Sequence, residues 1–326
     1  MGISFGVSYY GTHFPWHFEK DLKELKASGI NHIVFAASEY ELDFYLPSTK
    51  EIYRISKKYN VEFIVNFWAH GNTFGGEGGS FFIFKNIDTW QVLSSGRIIP
   101  KACFNNPKFL YFMKAQIKKI ANFSDGIFFD EPAFYNNKKT KEKGCFCKYC
   151  KLKFKKQYKK NIENASTKQL TEFKNKSLVC FIDSLAKLYK DLNSKGKTFI
   201  CLYPAERDET LVWEDFLSLK SIDVFGSDPY WQDPYWLEFI NKGPEFVKDV
   251  GQKITKECKI GKKQSQIWIQ NFKIKNSFDI PKAVEYAKQC KPDYITAWTY
   301  KGACYSVLSN KNWKKSWELL LKSYKE

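Results

Sequence analysis

The sequence predicts an α/β fold, a (β/α)8 TIM barrel with a cysteine-rich insertion after the fourth strand. Three observations predict it. Short, almost continuously apolar runs alternate eight times with amphipathic stretches of helical period, the pattern of a parallel sheet buried on both faces. Eight such units suit a closed barrel better than an open doubly wound sheet. No glycine-rich nucleotide fingerprint follows the first run. The stretch GNTFGGEGGS (71–80) lacks the Lys-Ser/Thr of a phosphate loop and opens no helix.

The elements follow in order. ISFGVSYY (3–10) reads as a strand. HFEKDLKELKASG (17–29) reads as a helix with Phe18, Leu22 and Leu25 on one face and Gly29 closing it. NHIVFAASE (31–39) is the second strand, and 48–60 its helix. VEFIVNFWA (61–69) is the third strand. A long loop holding 71–80 then leads to a helix over 107–122. DGIFFDEP (125–132) is the fourth strand, followed by the insertion and one or two helices to about residue 194. KTFICLYPA (197–205) is the fifth, with a short helix near 213–219. SIDVFGSDPYW (221–231) is the sixth, with a helix at about 235–256. SQIWIQNFKI (265–274) is the seventh, its helix starting near Pro281. DYITAWTYKG (293–302) is the eighth, and NWKKSWELLLKSYK is the last helix. No linker splits the chain, so a single domain over 1–326 is expected, with the insertion at about 133–194.

Composition narrows the function classes. The 326 residues carry 29 Phe, 19 Tyr and 10 Trp, enough for a large core and for flat aromatic faces lining a cleft. Formal charge is +17, from 52 basic and 35 acidic residues. The lysines scatter over helix faces and no nucleic-acid motif is visible, so nucleic acid is not an expected partner. A polyanion-binding protein would need those lysines gathered around the barrel mouth. No segment has the apolar length of a membrane span, and Met1 is followed at once by a strand-like run without a basic leader. Nine cysteines without such a leader point to a reducing, cytoplasmic setting with free or metal-bound thiols. The sequence leaves the oligomeric state open.

Barrel active sites lie at the C-terminal ends of the strands. The residues at those ends are therefore the candidates: Glu39 on the second, Asn66 and Trp68 on the third, Asp130 and Glu131 on the fourth, Tyr203 on the fifth, Asp228 and Tyr230 on the sixth, Gln270 and Asn271 on the seventh, Trp298 on the eighth. Trp231 follows Tyr230, and both read as sugar-stacking residues. His70 and, more weakly, His13 are placed to hydrogen-bond a substrate hydroxyl. Glu77 can enter from the glycine-rich loop as a flap.

Cys145-x-Cys147-x-x-Cys150 packs three thiols into one short stretch. The candidate fourth ligand is Cys103, in the loop before the third helix, with a histidine as the alternative although His13, His17, His32 and His70 all fall in the first three units. Four thiolates suit a closed tetrahedral site, so a structural Zn2+ is the expected cofactor. Its task would be to pin two long loops beside the mouth.

These residues carry a family resemblance. A fourth-strand carboxylate followed by C-x-C-x-x-C, with a lone cysteine some forty residues earlier, resembles the zinc site of family 42 glycoside hydrolases, the β-galactosidases of clan A. The resemblance implies that Cys103, Cys145, Cys147 and Cys150 hold structural zinc. It implies that Glu131 is the general acid/base, with Asp130 where the clan commonly has Asn. Trp298 is similar to the aromatic platform of the clan's sugar site. The chain departs from the clan at strand seven, where a nucleophilic Glu is usual and IWIQNF places Gln270 and Asn271.

Glycoside hydrolysis needs a proton donor and a carboxylate for the other face of the sugar. In one arrangement Glu131 is the acid and Asp228 the base or nucleophile, from strands whose backbones lie about 10 Å apart. In the other, Asp130 and Glu131 act as neighbours. This resembles the Asp-Glu pair of family 20 hexosaminidases, in which the substrate's acetamido group attacks. The expected function is therefore hydrolysis of a carbohydrate glycosidic bond, with Trp68, Tyr230, Trp231 and Trp298 as the sugar-contacting wall. The rival is a glycan-binding barrel that has lost its nucleophile.

Overall fold

The computed structural model describes residues 2–137, 139–204, 211–232 and 242–326. In chain order the elements are β1 (Ser4–Tyr9), α1 (Pro15–Ala27), β2 (His32–Ala37), α2 (Glu39–Asp43), α3 (Leu46–Lys58), β3 (Glu62–Phe67), α4 (Phe81–Lys85), β4 (Trp90–Val92), β5 (Ile98–Ala102), α5 (Pro107–Ile120) and β6 (Gly126–Asp130). They continue with α6 (Lys148–Tyr158), α7 (Thr167–Leu192), β7 (Lys197–Cys201), α8 (Trp213–Leu217), β8 (Val224–Ser227), α9 (Glu245–Gly261), β9 (Gln264–Gln270), α10 (Asp279–Gln289), β10 (Tyr294–Trp298) and α11 (Trp313–Lys325). Eight strands close into one parallel barrel in the order β1-β10-β9-β8-β7-β6-β3-β2. The fold is the (β/α)8 barrel that the alternation predicts.

Local chemistry sets many of the helix starts. Pro15 and Pro107 sit in the first turns of α1 and α5, where a missing N–H costs nothing. The Asn106 side chain accepts from Lys108 N–H at 3.0 Å. Ser166 and Gln169 form a reciprocal capping box at the start of α7. Two features differ from the sequence expectation. The long loop after the third barrel strand contains α4 and an antiparallel hairpin, β4–β5. The sixth helix, expected from about 235, is described from Glu245, and 235–241 lies outside the described residues.

Side chains alternate between two layers, as period two requires. Phe35, Phe63, Val65, Phe129, Ile200 and Phe225 face outward and pack beneath the helices. Val34, Ile64, Phe128, Phe199, Val224 and Trp268 fill the barrel interior. Phe128 meets Trp268 edge-on across the interior at 5.3 Å, and Phe199 meets Tyr294 likewise at 5.3 Å. The interior is a packed core, so a substrate can enter only at an end.

His32 closes the lower end. Its ring bridges Ser4 Oγ at 2.9 Å and Thr296 Oγ1 at 2.8 Å. Gly6 is its register partner on β1, and a Cβ there would lie 2.1 Å from His32 Nε2. Gly6→Ala therefore overpacks the floor and lowers stability by about 1–3 kcal/mol. Urea unfolding checks this, and His32→Ala in the same chain gives back part of the loss by removing the ring.

Burial holds His32 down to about 3 and His70 down to about 4, from an ordinary 6.5. Both stay neutral in the folded chain, while the unfolded chain takes up their protons first as pH falls. Stability should therefore drop on acidification below about pH 6.5, by up to about 2.7 kcal/mol per pH unit for two protons. Urea midpoints between about pH 7 and about pH 5 measure the slope, and a His32→Gln variant should lose one proton's worth of it.

Candidate active site and cysteine cluster

Strand parity selects what reaches the mouth. Asn66 is two residues beyond Ile64, Asp130 two beyond Phe128, Cys201 two beyond Phe199, and Asp228 four beyond Val224, so all four side chains continue the interior rows. Asn66 Nδ2 donates to Asp130 Oδ2 at 3.0 Å, and Cys201 Sγ lies 3.8 Å from Asp228 Oδ1. Asp228 is buried. Tyr10, beyond Gly6 and Ser8 on the inner row of β1, and Trp298, beyond Tyr294 and Thr296 on β10, complete this tier.

Glu131 on a straight strand would point out of the barrel. Instead its φ is +42°, in the left-handed region. Such a backbone costs a β-carbon-bearing residue about 1–3 kcal/mol. Its N–H nevertheless continues the ladder to Cys201 O at 3.0 Å. The turn breaks the alternation of the strand at Glu131, which therefore does not simply continue the outward row. Tyr230 registers the result: burial, and then the negative fields of Asp228, Glu131, Cys201 and Asp130, push its phenol well above the ordinary tyrosine range.

Two further charged groups face Glu131. Burial pulls the Lys101 ammonium below the usual lysine range, and the charge of Glu131 partly restores it. Glu77 keeps solvent access yet is crowded enough that desolvation, with the field of Glu131 added, raises its carboxyl above the ordinary range. Glu77 also contributes to the raised phenol of Tyr10, where burial is the larger cause.

An aromatic wall stands beside the acids. Tyr10 stacks on Trp298 with ring centres 5.7 Å apart and meets Trp68 at 5.5 Å, and Trp68 lies 6.2 Å from Trp298. Tyr230 packs edge-on against Phe272 at 5.2 Å. Trp68 Nε1 and Asn66 Oδ1 find no hydrogen-bond partner among the described residues, and unsatisfied polar atoms at such a place invite a ligand hydroxyl. The glycines of 71–80 have a steric reason. A Cβ on Gly75 would lie 2.9 Å from the Asp130 carboxylate, and one on Gly76, whose φ is +133°, would lie 2.0 Å from the Trp68 ring.

Several of the residues expected at the mouth are buried or engaged in other contacts. His70 is buried against Phe67 and Phe112, and its Nδ1 lies 3.3 Å from Trp68 O, so it braces the strand end from behind. Trp231 is fully buried in the outer core, because it is one residue out of phase with Asp228 and Tyr230. Gln270 is consumed as a clamp: Nε2 donates to Gln232 O at 2.7 Å and Phe272 O at 3.1 Å, and Oε1 accepts from Gln232 N–H at 3.0 Å. Asn271 Nδ2 donates to Thr299 O at 3.1 Å, and its Oδ1 accepts from Asn310 at 3.3 Å. Glu39 is buried and holds the Phe82 N–H at 2.7 Å and Ser80 Oγ. His13 stacks on Tyr45 and pairs with Glu41 at 3.4 Å. Tyr203 is half-buried just past β7, its carbonyl accepting from Trp213 Nε1 at 3.1 Å.

Tyr10, Lys101 and Phe272 were not singled out by sequence. Counting every second residue along the first and seventh strands finds Tyr10 and Phe272. Lys101 sits in the hairpin, which left no clear period. A groove of about 770 Å³ at the opposite end of the barrel is lined by Lys57, Asp125, Lys197 and Glu62 among others. These pair with one another at 2.8 and 3.1 Å, and that end of a barrel serves stability.

The four cysteines converge. The Sγ atoms of Cys103, Cys145, Cys147 and Cys150 all lie within 4.8 Å of one another, with Cys103 3.4 Å from Cys150 and 3.5 Å from Cys147. A metal about 2.3 Å from four thiolates sets sulfurs about 3.8 Å apart, so the buried cluster fits a tetrahedral ion. Asn105 Nδ2 donates to Cys150 Sγ at 3.3 Å from outside the tetrad. Cys103 ends the strand that carries Lys101, and the other three end the segment that begins at Glu131. Tyr135 N–H to Gln91 Oε1 at 3.1 Å and Phe146 N–H to Val92 O at 2.7 Å stitch the same two segments together.

No family model matches the chain, and no curated protein matches its sequence. Solved structures match along almost all of it. A β-galactosidase from the Antarctic haloarchaeon Halorubrum lacusprofundi superposes with a TM-score of 0.78 at 11% identity, covering 99% of this chain and 58% of that one. A family 42 β-galactosidase from G. stearothermophilus gives 0.70 at 13% identity, covering 99% and 56%. The catalytic domain of a β-amylase from Paenibacillus polymyxa gives 0.68 at 9% identity, covering 99% of both. The chain spans little more than half the length of these β-galactosidases. At such identities the likeness is one of fold, and the fold of this chain is that of the glycoside hydrolase barrels, family 42 among them.

Proposed function

We propose that this chain hydrolyses a glycosidic bond of a carbohydrate at the C-terminal mouth of its barrel. The observation that carries the reading is the set of carboxylates at the ends of two barrel strands, Asp130 held by Asn66, Glu131 next to it and Asp228 beyond β8, in the same tier as the stacked rings of Tyr10 and Trp298. A sugar ring laid on those aromatics presents its hydroxyls to the Trp68 indole N–H and the Asn66 amide oxygen. Asp130, oriented by Asn66, then accepts from a substituent next to the anomeric centre.

Glu131 is the carboxylate on which the reaction turns. The resemblance gives it the proton. Glu131 follows the strand end that presents Asp130, and its carboxylate can meet the positive charge that develops on the anomeric carbon. Aryl glycosides, N-acetylated ones included, test the reading. Wild type should turn over at least one of them, and Glu131→Gln should lower kcat by about 10³-fold while still binding the sugar by calorimetry. A wild type that binds glycans and cleaves none would make the chain a glycan-binding barrel instead.

We also assign the cysteine tetrad to a structural zinc ion, in a reducing, cytoplasmic setting that keeps the thiolates available. Four thiolates leave no open position, so the ion takes no part in the chemistry and holds the loops in place. Metal analysis should find close to one zinc per chain. Cys150→Ser should lose that zinc, lower the Tm and weaken turnover, and retention of full activity without metal would refute the clamp.

A further inference from the structure

The chain has no strand-seven carboxylate, and Gln270 in that place is spent on Gln232 and Phe272. A hydrolase still needs a second carboxyl across the sugar from Glu131. The glycine-rich loop delivers one. Gly75 N–H donates to Asp130 O at 2.8 Å, and Gly75 O accepts from Ala69 N–H at 2.8 Å. Gly75 lies against the Asp130 carboxylate and Gly76 against the Trp68 indole, both closer than any side chain would allow. The next residue is Glu77. It is therefore carried to the mouth on a segment docked to the catalytic strand and to the aromatic wall.

We propose that Glu77 is the proton donor of the site, paired with Glu131 across the sugar and supplied by the loop instead of the seventh strand. This rests on the glycosidase reading above. Two surroundings fit Glu77 to that role. It is accessible to a leaving group entering from solvent. Partial desolvation, with the negative charge of Glu131 added, raises its carboxyl above the ordinary range and favours the protonated form, as a proton donor requires. In the step itself the bond between the anomeric carbon and the leaving oxygen breaks. Its electron pair stays with that oxygen, which takes the proton of Glu77. Glu131 meets the positive charge left on carbon. A water then supplies the new hydroxyl, its proton restores Glu77, and the net change is the addition of one water.

The test compares wild type, Glu77→Gln and Glu131→Gln on two sets of aryl glycosides of the same sugar. Loss of a proton donor matters most when the leaving group is poor. With 4-methoxyphenyl glycosides Glu77→Gln should lower kcat/KM by about 10²–10⁴-fold. With 2,4-dinitrophenyl glycosides it should lower it less than about 10-fold, because that leaving group needs little protonation. Glu131→Gln should lose both. The fall of wild-type activity at the alkaline side should disappear in Glu77→Gln, since that limb is the loss of the Glu77 proton. A Glu77→Gln enzyme that is unchanged, or that loses both substrates equally, overturns the assignment and leaves the glycosidase reading standing. A wild type inert on every glycoside overturns both. One readout is independent of turnover. In carboxyl carbon NMR the Glu77 signal, identified by its absence in Glu77→Gln, should titrate above the ordinary glutamate range and move down in Glu131→Gln. A Glu77 that titrates in the ordinary range overturns the proposal.

Discussion

Two backbone hydrogen bonds hold the tip of β6 from opposite sides, and the mouth of the barrel is arranged around them. Gly75 N–H reaches the Asp130 carbonyl at 2.8 Å, and Glu131 N–H reaches the Cys201 carbonyl at 3.0 Å. Between those two bonds the chain turns left-handed at Glu131. A free strand end would relax that φ, because a side chain with a β-carbon prefers the negative region. Here the neighbours on both flanks hold it. The turn interrupts, at the tip of one strand, the alternation that period two imposes along the rest of it.

Holding that turn needs more than the barrel. The segment from Glu131 to Cys150 is long, polar and short of regular structure, and such segments carry little cohesion of their own. It is held by the hairpin β4–β5. Backbone and glutamine contacts join the two, the Arg97–Glu142 ion pair closes the outer edge, and the four sulfurs gather beneath. A bound ion contributes most where it cross-links stretches distant in sequence, and Cys103 is separated from Cys145 by the whole of α5 and β6. Lys101, two residues before Cys103 on the same hairpin strand, links the cysteine cluster to the acid site, since the charge of Glu131 acts on its ammonium.

Much of this was legible in the sequence, and the reasons are specific. A fully apolar strand ending in Asp130 and Glu131 stands out because charge at the end of a buried run is costly unless used. C-x-C-x-x-C stands out because thiolate spacing is a local property. The eight units stand out because periodicity is local too. What escaped depended on phase or on partners. Trp231 reads as an exposed stacking residue next to Tyr230, yet one residue of phase sends it into the outer core. Gln270 and Asn271 look like amides waiting for a sugar, but Gln232, Thr299 and Asn310 already occupy them. Lys101 was hidden because its strand is short and contains Pro100, which weakens any strand signal. Glu77 could be suspected from its glycines, but its place beside Glu131 depends on a tertiary docking that no window of sequence contains.

The charge of the mouth runs against that of the molecule. The chain as a whole carries +17, with lysines along the helix faces where many pair locally, as Lys176 does with Glu172 and Lys187 with Asp183. Over more than about 10 Å such exposed charges are screened by salt, so their sum says little about the site. Within the mouth, Asp130, Glu131, Asp228 and Glu77 put four acidic side chains among partly desolvated groups, with Lys101 in the field of Glu131, where each charge counts for more. A uronic acid or a sulfated sugar entering there would add a further negative group to that set. A neutral sugar avoids that repulsion and gains the aromatic faces of Tyr10, Trp68 and Trp298. The local field therefore argues for neutral glycosides and against the polyanions that the net charge alone would suggest.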